Sequence, residues 1–259
     1  NPVDRSFSFD FRIWIKYDIS FPPLAPQVIF QYLDKNNGKK NGFSLFIKDF
    51  VLENNITYAN IVFNMSNVTN SSKLLTKFKV PVNSWQHLSL CVSNSGNSKQ
   101  IQVWINAFEQ VDLIKIEKFN IKDELEIDKS VNFYLGKGES HIETAQNGLY
   151  NLPNNPESFL GYIDEFRFLH QEIDQQWIIK YKDANIFAQD TLKVYFKFNE
   201  PTGIYEKNMF CFDSSGNSLH SKIQLRPFIT NDPESASIPV LLIVKFFSYV
   251  LLLSQLHSL

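Results

Sequence analysis

An alternation of apolar and polar residues with a period of two opens the chain and constrains its fold more than any other feature. The apolar residues of one parity are Phe7, Phe9, Phe11, Ile13 and Ile15. The other parity is polar, apart from Trp14. Because successive side chains point to opposite faces of a strand, this run predicts a long, half-buried β-strand. Similar alternation recurs at 43–47, 101–105 and 192–198.

Polar turn sequences separate these runs, and only one segment reads as a helix. The turns lie near 36–38, 94–97 and 213–217, and the helix is expected near 174–183. The chain of 259 residues is 44% hydrophobic and holds 24 Phe, which is enough to fill a large core. Many strands and one short helix predict an all-β protein, a sandwich of two antiparallel sheets.

The stretch 160–168 places one charge among apolar residues of the same parity. Its even positions are Leu160, Tyr162, Asp164, Phe166 and Phe168. A buried carboxylate is costly unless it is paired. Asp164 is therefore expected at the rim of the sheet, beside a cation, or as the acceptor of several N–H groups.

Charge and cysteine content limit the classes of partner and compartment. The net charge is −2 and Lys and Arg are scattered, so no nucleic-acid ligand is expected. The chain has two cysteines, Cys91 and Cys211. In a secreted protein they are predicted to form a disulfide between a middle and a late strand, whereas the alternative is two buried thiols.

Five motifs in order resemble the laminin-G-like and pentraxin-like domains of the concanavalin A-like lectin and glucanase superfamily. The motifs are the strand 7–14, Trp85-Gln86-His87, Val103-Trp104-Ile105-Asn106, Phe133-Tyr134-Leu135-Gly136 and the closing segment 161–168 with its helix. The resemblance covers roughly residues 6–180. It implies a jelly roll, a fold that hosts lectins, enzymes and scaffolds alike.

Domain boundaries follow from this resemblance and from a change in composition. Residues 1–230 are expected to form the sandwich. Within them, 191–230 resembles the family's opening segment and either completes the same sandwich or begins a truncated second copy. Residues 231–259 form a hydrophobic tail whose run 238–253 is interrupted by Lys245. A membrane anchor, a cleaved lipid-anchor signal and a packed terminus are the three interpretations of this tail.

The resemblance also implies a structural calcium ion near the aspartate of the closing strand, here Asp164. Calcium takes six to eight oxygen ligands, so further donors are needed. Asn199, Glu200 and Asp213 are the weaker candidates. The alternatives are that Asp164 accepts backbone N–H bonds and that Asp213 forms an Asx turn.

The segment Glu124-Leu125-Glu126-Ile127-Asp128 is similar to the catalytic strand of laminarinase-type glycosidases, which use E-[IL]-D-x-x-E. Such enzymes need two carboxyl groups at a defined separation. Counted from Glu126, the final Glu position holds Val131, and counted from Glu124 it holds Lys129. A solvated charged loop is therefore preferred, and the chain is not expected to be an enzyme.

Four sequons and two tryptophans point to the surface. Asn55, Asn64, Asn67 and Asn70 are glycosylation acceptors if the protein is secreted, with Asn67 and Asn70 preferred. Trp14 and Trp104 lie on the polar parity of their strands and are candidates for a ligand-binding patch that stacks on sugar rings. The alternative is that a second layer covers both indoles.

These observations lead to three hypotheses about function. The first is a non-catalytic extracellular or cell-surface module that binds a glycan or a protein, steadied by calcium. The second is a structural surface or matrix component that assembles through contacts between sandwiches. The third is a degenerate glycosidase of the laminarinase type.

Overall fold

Two antiparallel β-sheets face each other across one hydrophobic core. The computed structural model describes residues 6–23, 26–34, 41–67, 72–95, 97–110, 114–117, 119, 132–138, 157–199, 210–224 and 241–244. The strands, in chain order, are β1 Phe7–Ile15, β2 Gln27–Asp34, β3 Asn41–Glu53, β4 Ile56–Asn67, β5 Ser72–Pro81, β6 Trp85–Ser95, β7 Ser98–Ile105, β8 Phe108–Glu109, β9 Ile114–Glu117, β10 Phe133–Leu135, β11 Glu157–Ser158, β12 Gly161–Leu169, β13 Leu192–Phe196, β14 Phe210–Cys211, β15 Ser221–Gln224 and β16 Leu241–Val244. The predicted helix is confirmed as α1, Gln175–Tyr181.

The strands divide between a six-stranded and a ten-stranded sheet. The six-stranded sheet has the order β13-β12-β1-β6-β7-β8. The larger sheet has the order β14-β15-β16-β10-β2-β3-β4-β5-β9, with β11 paired beside β2. The β11–β2 pair is parallel and the other strand pairs of the described residues are antiparallel. The all-β, two-sheet prediction is therefore confirmed.

The inner faces of the two sheets meet in a core that is rich in phenylalanine. Phe9 of β1 lies 4.5 Å, centroid to centroid, from Phe30 of the opposite sheet and 5.0 Å from Phe168 of the neighbouring strand. The alternating apolar residues of β1 are all buried in this core. Burial of such aromatic surface is the main favourable term in folding a sandwich of this kind.

Strands from the last third of the chain belong to both sheets. From the segment 191–230, β13 extends the six-stranded sheet beside β12, and β14 and β15 lie in the ten-stranded sheet. Residues 241–244 of the hydrophobic tail form β16, which pairs with β10 and β15. The rest of the tail lies outside the described residues. Among the described residues, no helix has the length and apolar character needed to cross a bilayer.

Candidate functional site

Three aromatic side chains cluster on the outer face of the six-stranded sheet, away from the core. Antiparallel pairing sets Trp14 of β1 directly opposite Trp85 of β6 and Tyr162 of β12. The ring centroids of Trp14 and Trp85 are 6.0 Å apart, and those of Trp85 and Tyr162 are 6.3 Å apart. Trp85 is 47% exposed and Tyr162 43% exposed. These three residues are the aromatic cluster.

A polar row crosses the same face at Arg12, two residues before Trp14 on β1. In the strand register, Arg12 lies opposite Asp164 of β12 on one side and opposite His87 of β6 on the other. The Arg12 Nη2 atom donates to Asp183 Oδ1 at 2.6 Å and to the Lys182 carbonyl oxygen at 3.3 Å. The sheet thus places a carboxylate and a guanidinium beside the aromatic cluster.

A β-bulge decides which face Asp164 occupies. The register between β1 and β12 shifts by one residue after the Arg12–Asp164 pair, and Glu165 adopts a positive φ of 53°. Tyr162 and Asp164 therefore lie outside, while Phe166 and Phe168 point into the core. The prediction that these four residues share one face is wrong, because the bulge inserts one extra residue and reverses the alternation.

The environment of Asp164 disfavours its charged form. Burial raises the pKa of this carboxyl, and the neighbouring charge of Glu165 raises it further. A hydrogen bond from the Glu165 backbone and the charges of Arg12 and Arg167 oppose these effects but do not cancel them. Of the alternatives for Asp164, the neighbouring cations Arg12 and Arg167 apply, and one backbone N–H, that of Glu165, takes the place of the several that were expected.

A buried charge network lies next to the polar row, between the sheet and the segment that follows α1. Asp10 is fully buried, and its Oδ2 atom accepts from Arg167 Nη1 at 2.9 Å. Its Oδ1 atom accepts from the Ser89 hydroxyl at 2.6 Å and lies 3.1 Å from His87 Nε2. Burial raises the pKa of Asp10, but the contacts with His87 and Arg167 outweigh it and hold that pKa below its ordinary value.

Arg167 joins the sheet to the segment after α1. Its Nη atoms donate to the carbonyl oxygens of Tyr181 and Ala184, both at 2.8 Å, and to Glu165 Oε2 at 2.7 Å. The Tyr195 hydroxyl donates to the same Glu165 oxygen. With Asp10, these contacts fix the segment over the outer face of the sheet.

Trp104 lies under α1 and does not contribute to an exposed patch. It is 4% exposed and packs with Cys91, Ile173 and Ile178. Its predicted role in ligand binding is wrong, because the helix covers the part of the sheet that carries it. Trp14 keeps partial exposure, since the helix does not reach the aromatic cluster.

The predicted calcium ligands do not form a site among the described residues. The Asp213 carboxylate already accepts from the backbone N–H groups of Tyr195, Ser215 and Leu219 and from the Ser215 hydroxyl. This is the Asx-turn alternative. Asn199 is exposed after β13, and Glu200 lies outside the described residues. Within the described ranges, no group of three or more His, Cys, Asp or Glu side chains could hold a metal ion.

Two of the four sequons lie inside a strand. Asn64 and Asn67 belong to β4 and are 9% and 2% exposed, so the prediction that they lie at the surface is wrong. Asn55 is exposed in the tight turn between β3 and β4, where a glycan has room. Asn70 lies outside the described residues, as do Glu124, Glu126 and Asp128 of the glycosidase-like segment.

The two cysteines are free and buried in different places, so the predicted disulfide is not formed. Cys91 lies on the outer face of the six-stranded sheet beside Trp104 and Ile178. Cys211 belongs to the larger sheet and packs in the core between the two sheets. Burial raises the pKa of the Cys91 thiol to about 11.

Trp85 and Tyr162 are two site residues that the sequence alone does not identify. Trp85 was assigned only to a family motif, and Tyr162 was assigned to the core. Their convergence on Trp14 depends on the register of β6 and β12 against β1, which no single run of sequence specifies. The available signal was the position of an aromatic residue at the start of each strand, Trp85 as the first residue of β6 and Tyr162 as the second of β12.

No protein-family model and no curated protein matches the chain. Among solved structures, the chain is similar to a protein of Bacteroides ovatus described as a "putative carbohydrate binding protein". The sequence identity is 14% and the TM-score is 0.49, over 83% of this chain and 50% of the other. The chain therefore spans half the length of that protein.

Proposed function

We propose that this protein is a non-catalytic module that binds carbohydrate through the aromatic cluster. The observation that carries the proposal is the exposure of Trp85 and Tyr162 around the partly exposed Trp14. Grouped aromatic rings in contact with water mark binding surfaces more often than chance exposure does. One face of a pyranose ring carries mainly C–H groups, which pack on an aromatic ring as apolar surface does.

The polar row supplies the hydrogen bonds that a sugar also requires. Hydroxyl groups lose their hydrogen bonds to water on binding, so the site must replace them. The Asp164 carboxylate can accept hydrogen bonds, and Arg12 can donate them, within one row of the aromatic rings. A polyhydroxylated ligand needs both kinds of group, apolar rings for its C–H face and hydrogen-bonding side chains for its hydroxyl groups.

Membership of the laminin-G-like and pentraxin-like domains and an extracellular location are part of this proposal. The family motifs on β1, β6 and β12 lie on three adjacent strands of one sheet, which supports the resemblance. Asn55 is the accessible acceptor that a secreted form of the protein would offer for glycosylation. The described residues give no support to a calcium ligand set around Asp164, so the proposed sugar binding does not use a metal ion.

Removal of the exposed rings tests the proposed site. We expect the double variant Trp85→Ala/Tyr162→Ala to lose at least tenfold in affinity for the best sugar found on a glycan array, because the stacking surface is gone. Isothermal titration calorimetry measures the affinity. Phe187→Ala is the matched control, since Phe187 is 88% exposed, lies outside the cluster and should leave binding unchanged.

Other results would point to the remaining hypotheses. Unchanged affinity in the double variant would move the site away from the aromatic cluster. Absence of any sugar signal, together with ordered self-assembly, would favour a structural component. Release of reducing ends from β-glucan by the wild-type protein, abolished in Glu126→Gln, would establish the glycosidase.

A further inference from the structure

We infer that the aromatic cluster selects a neutral pyranose with two adjacent free hydroxyl groups, which Asp164 binds, and rejects acidic sugars. This inference rests on the proposed function and specifies its ligand. It joins two observations, the placement of Asp164 in the row next to the rings and the pairing of the neighbouring cation.

The spacing along the strands suits one sugar ring. Asp164 is two residues from Tyr162 on β12, and residues two apart on one face of a strand are separated by about 7 Å. A hexose that stacks on Tyr162 and Trp85 therefore reaches Asp164 with the hydroxyl groups at its edge. A carboxylate has two oxygen atoms in one plane, so it can accept hydrogen bonds from two adjacent hydroxyl groups at once.

The partly buried carboxylate gains from such donors. Asp164 has given up part of its hydration and lies beside a second carboxylate, Glu165. The Glu165 carboxylate is itself bound by Arg167 and by the Tyr195 hydroxyl. Two hydroxyl donors from a ligand would stabilise the charged form of Asp164 without bringing a further charge to the site.

The charges around Asp164 disfavour the binding of an acidic sugar. The nearest cation, Arg12, is already held by the Asp183 carboxylate and the Lys182 carbonyl oxygen. Lys182 Nζ also contacts Asp183, at 2.6 Å. Around the polar row, the four carboxylates of Asp10, Asp164, Glu165 and Asp183 outnumber the three cations of Arg12, Arg167 and Lys182. A uronic acid on the rings would therefore add a further negative charge near Asp164, and like charges repel.

Titration with simple glycosides tests the inference. The probes are the methyl glycosides of glucose, galactose and mannose, their methyl uronides, and deoxy analogues that lack one hydroxyl group of each adjacent pair. Binding is followed by NMR chemical-shift changes of the indole N–H groups. We expect the preferred neutral glycoside to bind at least tenfold more tightly than its uronide and than one deoxy analogue.

Asp164→Asn should lower the affinity for the neutral glycoside at least tenfold and reduce the discrimination against its uronide. Asp49→Asn is the matched control, because Asp49 is a partly exposed strand carboxylate on the other sheet and should leave both affinities unchanged. Circular dichroism and thermal unfolding confirm that both variants are folded. The Asn side chain keeps an acceptor for the Glu165 backbone N–H.

The pH dependence gives a second readout. Because the pKa of Asp164 is raised, the affinity of the wild-type protein should fall on acidification at a higher pH than for an ordinary aspartate, whereas Asp164→Asn should show no such fall in that range. Six other titratable or charged groups lie around Asp164, on β1, β6, β12 and the segment after α1. They are Arg12, His87, Glu165, Arg167, Lys182 and Asp183.

The outcomes separate this inference from the proposed function. If a sugar binds and the ring variants lose it while Asp164→Asn binds as the wild type does, the inference is overturned and the aromatic site stands. Equal affinity for a neutral glycoside and its uronide in the wild-type protein overturns it as well. If no glycoside and no array glycan binds, the proposed function and the inference fall together.

Discussion

At the scale of single residues, Arg167 does most to connect the parts of the molecule. It is 1% exposed, pairs with Asp10 and Glu165, and donates to two carbonyl oxygens of the segment after α1. A buried guanidinium is tolerated only when its partners replace water. The forked geometry of arginine allows one side chain to donate to several partners at once.

Loss of this guanidinium should be far more costly than loss of an exposed one. We expect Arg167→Met to lower the free energy of unfolding by about 3–5 kcal/mol, because Asp10 would be left as a buried carboxylate without its cation. Arg167→Lys should recover little, since one ammonium group cannot replace the fork. Urea denaturation followed by tryptophan fluorescence measures both changes.

Arg12→Met is the comparison for Arg167. The Arg12 side chain is 35% exposed and its partner Asp183 is 64% exposed, so the loss should be about 1 kcal/mol or less. An equal decrease in the free energy of unfolding in the Arg12 and Arg167 variants would show that burial does not determine how much each arginine stabilises the fold.

At the scale of elements, α1 is a short helix that depends on its cap. The Asp174 side chain accepts from the Trp177 backbone N–H at 2.8 Å, and Ile178 packs against the outer face of the six-stranded sheet. A helix of seven residues has little stability of its own, so cap and packing both matter.

We expect Asp174→Ala to lower the free energy of unfolding by about 1 kcal/mol, because one backbone N–H of the first turn loses its acceptor. Thermal and urea unfolding measure the change. Asp190→Ala, at an exposed position before β13, should change stability by less than about 0.5 kcal/mol. A cap variant as stable as this control would mean that packing alone holds the helix.

The elements also show what could be predicted from sequence and what could not. The strand β1 and the helix α1 were predicted because each carries a local period or cap that specifies it. The face of Asp164 was not, because the bulge at Glu165 breaks the period within an otherwise regular run. The sequons at Asn64 and Asn67 were expected at the surface because their polar composition hides the end of β4, which continues to Asn67 and buries both side chains.

The candidate site was less predictable than the fold for a related reason. Trp14 was found because its own strand assigns it to the outer face. Trp85 and Tyr162 become neighbours of Trp14 only through pairing across β6 and β12, and Trp104 is removed from the surface by α1. Register and coverage are properties of the folded sheet, not of one segment.

At the scale of the whole molecule, the sandwich keeps its two thiols apart. Cys91 faces α1 and Cys211 faces the core, so the six-stranded sheet separates their environments. Disulfide formation needs Cα atoms within about 7 Å and converging side chains, which this arrangement does not provide.

We expect the native protein to resist thiol-specific labelling at pH 8, because burial holds the Cys91 pKa at about 11 and limits access to both sulfur atoms. After denaturation without reductant, both cysteines should take up label. Intact mass spectrometry counts the labels. A denatured chain that takes up none would show that the thiols had paired.

Glu165, the extra residue at the bulge in β12, also affects how the surface that carries the aromatic cluster can change over evolution. If Glu165 were deleted, Asp164 would still pair with Arg12, and the following residues would continue in simple alternation, so no side chain would exchange faces. Deletion of Ile163 instead would turn Tyr162 inward. Deletion at position 165 would therefore remove the carboxylate that binds Arg167 and Tyr195 but keep every face, whereas deletion just before it would break up the three-ring surface.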